Sequence, residues 1–132
     1  MPSVLFHPVV LVFLGAGCGG VLRHLVNITL PRLLGTGFPF ATFAINVTGS
    51  FAMGLLTGYL AFKDGAAWSQ GARLFLTTGL LGGYTTFSTF SLDFLFLMER
   101  GEMGLALLYA AGSVALAFIA VFAGISLMRV LS

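Results

Sequence analysis

The sequence predicts an all-α membrane protein with four transmembrane helices, the third of them broken near its centre. Three observations predict it. The chain is 58% hydrophobic and only 8% charged, against about 25% charged in an ordinary soluble domain. Apolar stretches long enough to span a bilayer as helix, about 20 residues each, occur four times. The third stretch contains Thr77-Thr-Gly-Leu-Leu-Gly-Gly-Tyr-Thr-Thr-Phe-Ser-Thr-Phe-Ser91, and glycine pairs loosen a helix. Backbone groups freed in hydrocarbon need partners inside the protein, so such breaks belong at cavities and ion sites.

The first segment covers residues 8–30 and is expected to stop at Pro31. Residues 1–6 carry no Lys or Arg, and the apolar run outlasts a signal-peptide core. It therefore reads as the first membrane helix of the mature protein. Gly15, Gly19 and Arg23 recur four apart, with Gly20 and Asn27 near the same face. The glycines suit close helix packing. A charge such as Arg23 within a membrane helix faces protein or a watery vestibule, or snorkels to the nearer surface. The single Cys18 excludes an intrachain disulfide and reads as a small packing residue. His24 reads as interfacial or packed.

The second segment covers residues 40–62 and is expected to end at Lys63-Asp64-Gly65. Thr42, Asn46, Gly49, Ser50, Met53 and Thr57 share one helical face. A buried amide needs partners in hydrocarbon. Asn46 serves either as glue between helices or as a donor to a dehydrated anion.

The third segment covers residues 71–98 and ends at Glu99-Arg100-Gly101-Glu102. The break is expected at residues 82–86, with two half-helices meeting at the bilayer midplane. Their free carbonyls suit a cation and their free N–H groups an anion. Phe87 and Phe90 follow on one face, continued by Phe94. Ring edges carry positive potential, so paired edges can line a path for a small anion. Ser88, Thr89 and Ser91 bond back to the preceding turn or add donors. Asp93 has three candidate surroundings: Arg23, Arg100 or a vestibule.

The fourth segment covers residues 103–128, with Arg129 at its end. Tyr109, Gly112 and Ser113 share a face, continued by Leu116 and Ala117. The hydroxyls of Tyr109 and Ser113 stand one turn apart. Short connections make consecutive helices antiparallel neighbours in a single domain, residues 1–132. With four helices both termini lie on one side. That side has Lys63, Arg73 and Arg129; the other has Arg32, Arg100 and, deeper, Arg23. The positive-inside rule needs an excess that this chain lacks. Either other signals set one orientation, or copies insert both ways up and pair antiparallel about a two-fold axis.

Gly82-Gly-Tyr-Thr-Thr-Phe-Ser-Thr-Phe-Ser91, Asn46-Val-Thr-Gly-Ser-Phe51 and Gly19-Gly-Val-Leu-Arg23 together resemble the Fluc (CrcB) family of fluoride channels. The resemblance covers essentially the whole chain, and the third-helix motif is its most specific part. It implies a dual-topology antiparallel homodimer in the inner or plasma membrane of a prokaryote. Two pores would export fluoride passively from the cytoplasm and lower its toxicity. By position, Phe87 and Phe90 match the pore-lining rings, and Asn46 the pore asparagine. Thr42, Tyr109 and Ser113 match a polar track, and Arg23 a vestibule arginine. Gly82 and Thr85 match residues whose carbonyls hold a structural sodium ion at the dimer axis. Ala117 replaces a further serine of the track in some members, and Ala41 a frequent glycine.

Other classes fit less well. A small multidrug exporter would need a carboxylate in the first helix, and no Asp or Glu precedes Asp64. A purely structural assembly protein leaves the glycine–threonine break without a purpose. Enzymatic chemistry lacks a nucleophile–base pair, a phosphate loop or a metal-ligand cluster. The scattered net charge of +2 gives no basic patch for nucleic acid.

Overall fold

The computed structural model describes residue 4, residues 7–62 and residues 70–131. Its order is α1 (Pro8–Leu34), α2 (Phe40–Phe62), α3 (Gln70–Leu74), a π-helical stretch (Phe75–Leu81), α4 (Gly82–Tyr84), α5 (Ser88–Glu99) and α6 (Met103–Leu131). Among the described residues every regular element is helical. Helices α1, α2 and α6 are each long and apolar enough to cross a membrane. The third segment is the interrupted one. The expected stop at Lys63-Asp64-Gly65 lies outside the described residues.

Helix α1 starts cleanly. His7 Nδ1 accepts the Val9 N–H at 3.2 Å, and Pro8 occupies the first turn, where its missing N–H costs nothing. Its end corrects the sequence reading, because Pro31 lies inside the helix. Proline gives up the bond to the Asn27 carbonyl, but one lost bond does not force a stop. The next turn closes when the Gly35 N–H reaches the Pro31 carbonyl at 2.9 Å. Gly35, at φ 84°, then turns the chain.

Two close seams hold the bundle. In the first, Gly15 and Gly19 of α1 press on the π-helical stretch and α4. A Cβ on Gly15 would sit 2.5 Å from the Phe75 carbonyl oxygen, and one on Gly19 would overlap the Leu80 carbonyl. From the opposite side, a Cβ on Gly83 would lie 2.5 Å from the Ala16 carbonyl oxygen. The packing role expected of Gly15 and Gly19 is thus what the fold uses. In the second seam, α2 and α6 approach through Gly54, Gly58 and Gly124. A Cβ on Gly124 would meet the Phe51 carbonyl oxygen at 2.5 Å. Cys18, by contrast, is exposed on α1 and packs no seam within this chain.

The break itself comes later than expected. Gly82 and Gly83 are helical, and Thr85 is the first extended residue, at φ −79° and ψ 157°. Gly83 is small enough to let α1 come close, and the backbone leaves the helix only after that contact. Helix α5 ends in a Schellman turn. The Glu102 N–H bonds the Leu97 carbonyl and the Gly101 N–H the Met98 carbonyl, both at 3.0 Å, with Gly101 at φ 78°. Leu97, Ala106 and Tyr109 form a small buried core, covered by Phe38, Phe43, Phe90 and Phe94.

Candidate functional site

The Asn46 side chain clamps the break. Its Nδ2 donates to the Thr86 carbonyl and its Oδ1 accepts the Thr86 N–H, both at 2.9 Å. A carboxamide has the same donor–acceptor pair as a peptide, so it completes both backbone groups that the break leaves open. Of the two readings of Asn46, glue between helices is therefore realised. The amide nitrogen has two hydrogens, and this bond uses one. A second tie joins the same elements: the Tyr84 and Thr48 hydroxyls bond at 3.0 Å.

The clamp also releases carbonyls. In an unbroken helix, the Thr86 N–H would bond Gly82 and the Thr89 N–H would bond Thr85. Here the first goes to Asn46 and the second to the Thr86 hydroxyl at 3.3 Å. The carbonyls of Gly82 and Thr85 lose those helical partners. Gly82 is exposed, and a Cβ there would meet only the Thr77 carbonyl oxygen, at 3.6 Å.

A groove of about 670 Å³ runs over this region, lined by Asn46, Gly49, Ser50, Gly82, Thr85, Thr86, Phe87, Phe90, Ser113 and Ala117 among others. Among the described residues no charged side chain lines it. Phe87 and Phe90 have ring centroids 5.6 Å apart at 51°, and Phe87 is 77% exposed. Ser113 is 5% exposed, and its hydroxyl oxygen has no hydrogen-bond partner among the described residues. A buried hydroxyl without a partner is costly, and Ser113 has a donor free to serve the groove it lines.

The remaining polar-track residues lie elsewhere. Thr42 lines a second cavity of about 320 Å³ with Asn27, Phe38, Thr89, Asp93 and Arg100. Tyr109 is fully buried between the two spaces. Its ring centroid stands 5.1 Å from that of Phe90 and 5.4 Å from that of Phe38. Its hydroxyl donates to Asp93 Oδ2 at 3.1 Å. That settles the partner of Asp93 against both arginines: Arg100 instead pairs with Glu102 and donates to the Gly37 carbonyl. Arg23 is half-buried on α1, has no hydrogen bond to a described residue and lines neither cavity. Thr57 is exposed and leaves the α2 stripe before the groove ends. Sequence reasoning missed Thr86 and Phe38. A threonine three residues before Thr89 carries a capping signal; Phe38, in a loop, carries none.

Chemically, the groove offers neutral donors and ring edges and no fixed charge. Residues 10–125 match the family model described as "CrcB-like protein, Camphor Resistance (CrcB)". The chain is 59% identical over 122 residues to the fluoride-specific ion channel FluC of Rhodopseudomonas palustris (strain BisB5), covering 92% of this chain and 97% of that one. It is 60% identical over 119 residues to the fluoride-specific ion channel FluC 2 of Nitrobacter hamburgensis, covering 90% and 94%. Identity to the FluC of Rhizobium meliloti (strain 1021) is 48% over 121 residues, covering 92% and 95%. The matched region contains both glycine seams, the Asn46 clamp and the whole lining of the groove: this chain belongs to the CrcB-like protein family.

Proposed function

We propose that this chain is a fluoride-selective channel that lets the ion leave the cytoplasm passively. The observation that carries the reading is the unpartnered Ser113 hydroxyl, buried in the wall of a neutral groove beside Phe87 and Phe90. The names of the relatives support the choice of ion. Fluoride holds its water tightly, so a pore must replace water with donors and still release the ion. Ser113 and the second Asn46 hydrogen supply true hydrogen bonds. The edges of Phe87 and Phe90 supply weaker positive contacts. With no Lys or Arg in the groove, the ion is not trapped.

The working unit is an antiparallel homodimer with two pores. The groove is open along one side, with Phe87 on the open face, and a second copy would supply the missing wall. The near balance of basic residues across the two ends supports insertion both ways up. A structural sodium ion fits the break: Gly82 and Thr85 both present carbonyls freed from their helical donors. When bound, the ion would supply positive charge to the Gly82 and Thr85 carbonyl oxygens that would hold it. Thr42 and Tyr109 continue the polar path from the groove towards the second cavity, and Arg23 attracts anions at the membrane surface. The site of action is the inner membrane of a bacterium, where export lowers fluoride toxicity.

The test is efflux from liposomes holding the purified protein. Fluoride should leave and chloride should stay. Equal flux of the two ions, or none of fluoride, overturns the reading.

A further inference from the structure

The end of the molecule remote from the break contains a chain of contacts that leads from the surface to the groove. Arg100 caps α5, pairs with Glu102, and donates from Nη2 to the Gly37 carbonyl at 3.0 Å. That bond crosses from the loop after α5 to the loop before α2. The next residue, Phe38, sets its ring edge-on to Tyr109, with centroids 5.4 Å apart and planes at 89°. Phe40 and Phe43 hold Phe38 in turn, at 4.9 and 5.9 Å. Tyr109 carries the chain inward: its hydroxyl donates to Asp93, and its ring backs Phe90 in the groove wall.

We propose that Arg100 and Phe38 are positioning residues for ion passage, acting through the Tyr109 hydroxyl. This rests on the channel reading above. Among the described ring contacts, Tyr109 meets only Phe38 and Phe90. Phe38 sits in a loop, residues 35–39, where no helical ladder fixes its ring. Backbone bonds tie the loop to its own flanking helices, and the Arg100–Gly37 bond ties it to a residue 63 positions away. Loosening it frees Phe38, lets the Tyr109 ring tilt, and takes the hydroxyl off Asp93. Both Asp93 and Phe38 line the 320 Å³ cavity that faces Thr42, so the tilt alters the passage between cavity and groove. Arg100 itself borders that cavity, and it acts on the passage to the groove through Phe38 and Tyr109.

The experiment is a double-mutant cycle on fluoride efflux, with folding of every variant checked by size-exclusion profile and melting temperature. Phe38→Leu is expected to lower flux about tenfold and Arg100→Ala about threefold, the fold-changes that correspond to losing one aromatic pair and one exposed hydrogen bond. Arg100→Lys keeps a donor and should restore flux. In a Tyr109→Phe background, which lacks the hydroxyl, Phe38→Leu and Arg100→Ala should each add less than about twofold. Full losses in both backgrounds, or wild-type flux in both single variants, overturn the proposal while leaving the channel reading intact. A wild-type protein without fluoride flux overturns the channel reading itself. A second readout does not depend on flux. In protein labelled with 3-fluorotyrosine, the ¹⁹F resonance that Tyr109→Phe removes should shift in Arg100→Ala and return in Arg100→Lys. An unmoved resonance in Arg100→Ala overturns the proposal even where Tyr109→Phe or Phe38→Leu is inactive or unfolded.

Discussion

Gly82 and Gly83 are adjacent in sequence and face opposite ways. Gly83 looks into the seam with α1, where an added Cβ would sit 2.5 Å from one backbone oxygen and 2.8 Å from a Cα. Gly82 looks into the groove, where the same atom would meet one oxygen at 3.6 Å. Both glycines are helical. One is needed for the fold of the single chain, and the other leaves a carbonyl and open space beside the break. The same division runs through the whole third segment. Its first half is locked to α1 backbone against backbone. Its second half begins with exposed Phe87 and turns its rings towards the groove. On the proposed function, stability and ion handling lie on different sides of one broken helix, with Asn46 joining them.

Asn46→Leu should break this division most severely, because Asn46 belongs to both sides. It strands the Thr86 N–H and carbonyl, at about 1–3 kcal/mol each, so a large fall in melting temperature in detergent is expected together with loss of flux. Gly83→Ala comes next. The Ala16 backbone cannot yield as a side chain does, and overpacking of this kind costs about 1–3 kcal/mol. Thermal unfolding should show the drop, while the surviving folded protein still conducts. Phe90→Ile and Phe87→Ile should leave melting within a few degrees and reduce fluoride flux. Unchanged flux in both would remove the ring edges from the path. The smallest effect on stability belongs to Gly82→Ala, within about ±0.5 kcal/mol for a site without a clash. Its effect should appear only in flux and in the monomer–dimer balance by size-exclusion light scattering. A Gly82→Ala protein that unfolds like Gly83→Ala would erase the distinction between the two faces.

The outline of this arrangement was legible in sequence, and its joints were not. Four apolar segments, the glycines of α1 and the polar face carrying Asn46 all follow from composition and period. The position of the break does not. A glycine pair loosens an isolated helix, yet residues 82–84 pack against Ala16 and Gly19 and stay helical, and the break falls at residues 85–87. Pro31 likewise reads as a stop, but the helix survives one missing donor and continues to Leu34. The π-helical turns of Phe75–Leu81, which lie against Gly15 and Gly19 of α1, carry no mark that a propensity or a period would reveal. Asp93 was legible as an acid needing a partner. That the partner is a tyrosine from α6 rather than an arginine depends on which faces meet.

The central claim is that the groove face carries the ion and the seam face only holds the fold. Fluoride efflux per folded molecule tests it most directly, with Ser113→Ala measured beside Gly79→Ala. Ser113→Ala removes a hydroxyl that has no partner among the described residues, and Gly79→Ala crowds the Gly15 Cα at 3.0 Å. The account predicts that Ser113→Ala melts like the wild type and loses flux, while Gly79→Ala melts earlier and keeps it. Full flux in Ser113→Ala, with the loss appearing in Gly79→Ala instead, would contradict it.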